Sequence, residues 1–171
     1  VWLILSMAAY SSSAMGQRCG ATCANAESLL GQSEQVLIAT VPELQRVVKP
    51  TLGPRNARGK WMLPEMVFAT QSYAVTYFIA ANQVARIELV STASKVQCMQ
   101  KIPFESALDE LAKTYGTTQA LGKFESDGAT TQSAAFNTDT VDISLHLSLT
   151  VADCITRVVS KTRSMKDASE L

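Results

Sequence analysis

The chain contains a single histidine, His146, which is the first candidate for chemistry. It lies between Ser144 and Ser148 in a run of alternating polar and apolar residues, so the three polar side chains share one face of a predicted strand. A general base needs a nucleophile and an orienting acid within hydrogen-bond reach. Each serine is about 7 Å away along a strand and Asp142 about 13 Å away. The spacing therefore favours a solvated histidine over a catalytic one.

Pairs of carboxylates are the other possible route to catalysis. Glu105 and Asp109 share one face of a predicted helix, and Asp139 and Asp142 flank a predicted turn. Glycosidases use two such groups across the scissile bond, but surface charge accounts for both pairs. The glycines fit no phosphate-binding motif, and one histidine cannot supply a metal centre built from several. The sequence therefore predicts no catalytic residue, no metal and no cofactor, and it favours a binding protein over an enzyme.

The four cysteines suggest an oxidising compartment. They are Cys19, Cys23, Cys98 and Cys154, an even number that allows three pairings. Because Cys19 and Cys23 are close neighbours, and Cys98 and Cys154 both border predicted regular elements, we expect one local disulfide and one distant disulfide. A four-cysteine zinc site is the alternative, although paired CxxC motifs are missing.

Residues 1–16 have the character of an export signal. They carry no charge and begin with a short apolar run, which is too short to cross a bilayer. Ala14 and Gly16 place small side chains at the minus-three and minus-one positions of a cleavage before Gln17. The pattern predicts a truncated signal peptide, a periplasmic or secreted protein, and no transmembrane segment in the mature chain. A buried N-terminal strand or helix is the alternative.

Composition indicates one globular domain. The chain has 171 residues, of which 47% are hydrophobic and 18% are charged, which suits a single core and excludes disorder as the main state. Fifteen basic residues balance fifteen acidic ones. Because the molecule has no net field to attract a nucleic acid, that class of partner is disfavoured and a protein partner is expected.

The N-terminal part is predicted to be helical and then to form a basic loop. Residues 24–48 are interpreted as helical, with a second helix starting at Pro42. Residues 51–64 are predicted to be a loop, and residues 17–64 are expected to join residues 65–171 in one globular unit.

The predicted loop carries the candidate binding residues, which are Arg55, Arg58, Lys60 and Trp61. They could bind a polyanion, an acidic protein surface or lipid headgroups, with Trp61 as an aromatic anchor. Alternatively, the loop is simply solvated and Trp61 packs against the core.

Alternation of side chains predicts an antiparallel sheet. Residues 73–91 form a β-hairpin with its turn at Asn82 and Gln83, and residues 141–149 form a strand with nine alternating positions. An apolar stripe predicts a helix from Pro103 to Tyr115, ended by Gly116. The fold class is therefore α+β: a hairpin, a helix packed on one face of the sheet and a meander of three or four strands, all preceded by N-terminal helices.

The segment from residue 150 to residue 163 has two interpretations. Its β-branched composition favours a strand, which would place Cys154 within reach of Cys98. As a helix, it would have Thr150 as its cap. In that case residues 98–160 resemble the short N-terminal domains of secretins and TonB-dependent receptors, in which a helix, a strand and a second helix recur.

These observations favour an exported binding protein that acts by protein–protein contact, as an inhibitor, an immunity factor or an envelope-assembly accessory. The sheet surface and the segment from Arg55 to Trp61 would carry the contact. The resemblance to secretin domains implies a different function, a structural module of a secretion or conjugation machine. A small secreted hydrolase is the third hypothesis, and it requires His146 or a carboxylate pair to line a concave pocket.

Overall fold

The computed structural model describes residues 26–163, which form one antiparallel sheet of eight strands accompanied by helices. The predicted antiparallel sheet with helix is confirmed. The helices are α1 (Glu34–Thr40), α2 (Lys95–Met99) and α3 (Ile102–Tyr115). The strands are β1 (Gln45–Arg46), β2 (Arg58–Phe68), β3 (Gln71–Ala80), β4 (Gln83–Ser91), β5 (Ala120–Ser126), β6 (Ala129–Asn137), β7 (Val141–Leu149) and β8 (Cys154–Thr162). The predicted signal peptide and the Cys19–Cys23 pair lie outside the described residues.

Strand order in the sheet is β1-β2-β3-β4-β8-β7-β6-β5. Strands β2 to β4 form one meander and β5 to β8 form a second, and the two meanders meet where β4 pairs with β8. Strand β8, the last of the described strands, therefore lies in the middle of the sheet.

Tight turns connect neighbouring strands. The β3–β4 turn consists of Ala81 and Asn82, both with positive φ, and Ala80 pairs with Gln83. The predicted turn at Asn82 and Gln83 is thus wrong by one residue, because the two-residue turn needs positive φ at both central positions and Gln83 already belongs to the ladder. Asp127 and Gly128 form the equivalent turn between β5 and β6.

The C-terminal segment is a strand, as its composition favoured. Strand β8 pairs with β7 in an unbroken register from Val141 opposite Thr162 to Leu149 opposite Cys154. The helical interpretation of residues 150–160 is therefore wrong. The resemblance to secretin and TonB-dependent receptor domains depended on that helix and has no support in this fold.

Helix α3 covers one side of the sheet, which we call the inner face. It contacts β6, β7 and β8, and its buried side chains are Pro103, Phe104, Ala107 and Leu111. Opposite them lie the inward residues of β7, Val141, Ile143, Leu145 and Leu147, all buried. The helix ends at Gly116, whose φ of 82° suits the glycine predicted to stop it.

The disulfide between Cys98 and Cys154 is present and joins α2 to the start of β8. The two Cα atoms are 5.8 Å apart and 56 residues separate the cysteines in the sequence. This bond confirms the predicted distant pairing and excludes the four-cysteine zinc site. Within residues 26–163, each helix is too short or too polar to cross a bilayer.

The helical interpretation of residues 24–48 holds only in part. A 3-10 turn at Ala26–Leu29 is separated from α1 by Gly31, whose φ is 79°. Ser33 caps α1 by accepting a hydrogen bond from the amide of Val36. The second predicted helix is absent because Glu43 adopts a positive φ and the following residues pair with β2 as strand β1.

The predicted loop over residues 51–64 is also wrong in its second half, where β2 begins at Arg58. Two irregularities hide this strand in the sequence. The register with β3 shifts between Gly59 and Trp61 and again between Leu63 and Met66. The second shift includes Pro64, which has no amide hydrogen to donate to a ladder and is tolerated at such a bulge.

Candidate functional site

The face of the sheet opposite α3, which we call the outer face, holds a groove of about 480 Å³. We call it the outer-face groove, and its lining residues come from β4, β7 and β8. They are Arg86, Ser144, His146, Ser148, Ile155, Arg157, Val159 and Lys161. Six of these eight side chains are polar or charged, and Ile155 and Val159 supply an apolar floor.

Pairing of β8 with both its neighbours assembles this groove. Lys161 lies opposite Arg86 on β4, and Arg157 lies opposite His146 on β7. Val159 lies between Glu88 and Ser144 in the same way. Because side chains alternate along a strand, all of these residues share the outer face while their neighbours in sequence enter the core.

Glu88 joins two arginines of the groove. Its carboxylate accepts a hydrogen bond from Arg86 Nη2 at 3.0 Å and lies 2.9 Å from Arg157 Nε. Only 14% of the Glu88 side chain is exposed. Lys161 adds a third cation, so these four side chains carry two formal positive charges. Asp142 faces Lys161 across the ladder and lies 3.9 Å from Arg163. Because the charges of Asp142 and Arg163 cancel, the net charge of the site remains positive.

The arginine side chains retain unused hydrogen-bond donors. The Nε atoms of Arg86 and Arg157 are buried, and neither has a hydrogen-bond partner in the described part of the chain. Arg157 Nε is close to the Glu88 carboxylate but lacks the alignment of a hydrogen bond. The Arg86 guanidinium also lies 5.5 Å from the centre of the Phe78 ring, which holds it on the outer face. Buried donors without partners favour an incoming acceptor.

His146 is half-buried in this cationic setting. Burial lowers its pKa, and the charges of Arg157 and Arg86 lower the pKa further, whereas Glu88 opposes them. The lowered pKa favours the neutral imidazole near pH 7. It offers one donor and one acceptor to a ligand.

The histidine is not part of an assembled catalytic triad. The concave wall that the hydrolase hypothesis requires is present around His146. However, within the described residues neither Ser144 nor Ser148 is hydrogen-bonded to the imidazole, and Glu88 is engaged by arginines. The arrangement supports the binding of an anion better than it supports nucleophilic catalysis.

The structure separates the binding residues predicted from the sequence. Glu34 of α1 accepts hydrogen bonds from Lys60 Nζ at 3.0 Å and from Trp61 Nε1 at 2.8 Å. Trp61 also packs against the core. Arg55 lies in an exposed 3-10 turn and Arg58 at the exposed start of β2. Lys60 and Trp61 thus have a structural role, and a binding role for the four residues stays a prediction.

The basic segment nevertheless adjoins the outer face. The backbone at Gly53 and at Gly59 lies so close to the Phe78 ring that an added Cβ would meet it at 3.0 Å and 3.3 Å. Since Arg86 stacks on the same ring, the turn that carries Arg55 is next to one end of the groove.

Sequence reasoning missed Arg86, Arg157 and Lys161 as site residues. They are far apart in the chain, and only the β4–β8 pairing brings Arg86 and Lys161 together. One signal was available: Arg157 and Lys161 are four residues apart, so a strand over residues 155–161 places both on one face.

A second polar cluster lies on the inner face. Tyr115 at the end of α3 donates a short hydrogen bond to Glu27, which also bonds to Ser160 on β8. Burial raises the pKa of the Glu27 carboxyl. The cluster attaches the start of the described chain to α3 and the sheet, so we assign it a structural role.

No group of three or more His, Cys, Asp or Glu side chains between residues 26 and 163 is arranged to hold a metal ion. No family model, curated protein or solved structure matches the chain.

Proposed function

We propose that this chain is an exported binding protein, periplasmic or secreted, whose outer-face groove takes an acidic segment of a partner protein. The observation that carries the proposal is the excess of positive charge in a concave site, in which the Nε atoms of Arg86 and Arg157 make no hydrogen bond within the described residues. Export is supported by the Cys98–Cys154 disulfide, since such bonds persist mainly in oxidising compartments.

The chemistry of the lining suits carboxylates. Arginine presents a planar fork of donors that matches the two oxygens of a carboxylate. Ser144, Ser148 and the neutral His146 can donate further hydrogen bonds around it. The apolar floor of Ile155 and Val159 suits an aliphatic side chain next to the acidic one.

The shape of the groove favours a protein segment over a small molecule. Sites for small ligands usually enclose most of the ligand surface, whereas this groove lies along one open face of the sheet. Single-stranded nucleic acids usually stack their bases on several aromatic side chains, and the lining contains no Phe, Tyr or Trp. An extended acidic segment is therefore the occupant that fits best.

Titration with a defined peptide tests this function. The probe is a short peptide in which an aliphatic residue is flanked by glutamates, and its control has glutamines in place of the glutamates. We expect the acidic peptide to bind and to shift the NMR signals of His146 and Arg157, with weaker binding as salt is added. Equal binding of the glutamine peptide would contradict the proposal.

Paired variants show which surface binds the peptide. The variant Arg157→Gln/Lys161→Gln keeps Arg86 as a partner for Glu88 and should raise the dissociation constant about tenfold or more. The matched variant Arg55→Gln/Arg58→Gln removes the same number of charges from the basic segment and should have a small effect. The opposite ranking would move the site to that segment.

Export is tested separately by fractionating the native cells. We expect the protein outside the cytoplasm, oxidised at Cys98 and Cys154, with a mature N-terminus near Gln17 by mass spectrometry. Recovery of an uncleaved, fully reduced protein from the cytoplasm would contradict this part of the proposal.

A further inference from the structure

The edge strand β5 is open on one side. It pairs with β6 through seven consecutive residue pairs, and its other side has no strand partner among the described residues. All seven of its residues are exposed. An edge of this kind presents unpaired backbone N–H and C=O groups that can add another strand.

The opposite edge of the sheet is protected. There β1 covers only two residues of β2, while Leu52 forms an isolated bridge with Arg58. The remaining part of β2 contains Pro64 and two register shifts, and such irregularities oppose strand addition. By contrast, β5 contains no proline, and its pairing with β6 has no shift.

The side chains of β5 are complementary to a second copy of themselves. Phe124 is exposed on the outer face with Gly122 beside it, and Lys123 lies 2.7 Å from Glu125 on the inner face. We propose that β5 pairs antiparallel with β5 of a second copy of this chain, about a two-fold axis at Phe124.

Charge selects this register. If all seven residues overlapped, Lys123 would face Lys123 of the second copy, and like charges directly opposite each other are destabilising. Slipping one strand by two residues places Phe124 opposite Phe124 and each Lys123 opposite the Glu125 of the other copy. In that register each aromatic ring also lies diagonally over the Gly122 of the other copy, a favourable arrangement for an edge glycine.

The dimer has a defined geometry. The two eight-stranded sheets become one continuous sheet, and its two-fold axis is perpendicular to the sheet, so both outer faces lie on the same side. Seven strand spacings separate the two β8 strands at the centres of the outer-face grooves, or about 34 Å along the sheet. A partner with two acidic segments could occupy both grooves together, which increases its apparent affinity.

Charge reversal tests the dimer. In sedimentation equilibrium from micromolar to millimolar concentration we expect the wild type to dimerise. Lys123→Glu should raise the dimer dissociation constant about tenfold or more, because two attractive pairs become repulsive. The swap Lys123→Glu/Glu125→Lys restores opposite charges and should restore dimerisation. These side chains are exposed, so circular dichroism should show unchanged folding.

A monomeric wild type over the whole concentration range, or a dimer that Lys123→Glu does not weaken, would overturn the proposal.

Cross-linking checks the register: Phe124→Cys should yield a disulfide between residues 124 of two copies, identified by mass spectrometry of the linked peptide. Ser126→Cys should not, because Ser126 would face Gly122. Equal cross-linking of both variants would exclude this register. Neither substitution touches the outer-face groove, so peptide binding is measured independently.

Discussion

The two faces of the sheet have opposite chemistry although the same strands build both. On β7, Val141, Ile143, Leu145 and Leu147 are buried beneath α3, while Ser144 and His146 face the outer-face groove. The inner face is therefore expected to determine stability, and the outer face to determine binding. Alternation along a strand lets each property change with little effect on the other.

The disulfide on the inner face should have the largest effect. Replacing both Cys98 and Cys154 with alanine should lower the free energy of unfolding by about 4 kcal/mol, because the bond closes a long loop in the unfolded chain. Urea denaturation measures this change. Wild type unfolded in the presence of a reductant should give a similar decrease, and no change in either experiment would show that the bond does not stabilise the sheet.

The next effect concerns neighbouring residues on opposite faces. Leu145→Ala should cost about 3 kcal/mol in urea denaturation, because Leu145 is fully buried and the substitution leaves a cavity. Ser144→Ala, one residue away on the outer face, should change stability by less than about 0.5 kcal/mol. Similar costs for both would mean that the two faces do not differ as described.

Replacing Glu88, a carboxylate on the outer face, should change both stability and peptide binding. Glu88→Gln leaves Arg86 and Arg157 without their shared ionic partner. We expect a loss of about 1 to 2 kcal/mol in stability, less than for a fully buried pair because solvent screens Arg157. The same variant should bind the acidic peptide more tightly in calorimetry. Glu110→Gln is the control: the Glu110 carboxylate, which pairs with Lys113, is more exposed than that of Glu88. This variant should change neither stability nor peptide binding.

The smallest effect should be the pH dependence due to His146. Its pKa is lowered from 6.5 by burial and by Arg157 and Arg86. As pH falls below 6.5, the unfolded chain therefore takes up a proton before the folded chain does, and stability decreases until pH reaches the lowered pKa. In denaturation series from pH 7 to pH 5, His146→Asn should lose less stability than wild type. In NMR titration, Arg157→Gln should raise the pKa of His146; an unchanged value would exclude that electrostatic cause.

Elements with unbroken patterns were predictable from the sequence. Strand β7 alternates over nine residues, and the helix from Pro103 to Tyr115 has a continuous apolar stripe. The Cys98–Cys154 pairing followed from the elements that the two cysteines border. In each case local periodicity and tertiary packing require the same structure.

Irregular elements were not predictable in the same way. In β2, the bulges around Trp61 and Pro64 interrupt the alternation, so the strand resembles a loop in sequence. The groove depends on contacts between strands that are distant in the chain, whereas alternation relates His146 only to residues on its own strand. The alternation therefore does not indicate that Arg157 is the direct neighbour of His146 across the ladder.

The central position of β8 has a consequence for how the molecule is made. Because β8 leaves the ribosome after both of its partners, β4 and β7, a nascent chain that stops before residue 154 contains two unfinished sheets and an unpaired thiol at Cys98. The edges of β4 and β7 are then open to other chains, and such exposed edges promote misassembly. Chaperone protection would matter most while β5 to β7 have been synthesised and β8 has not.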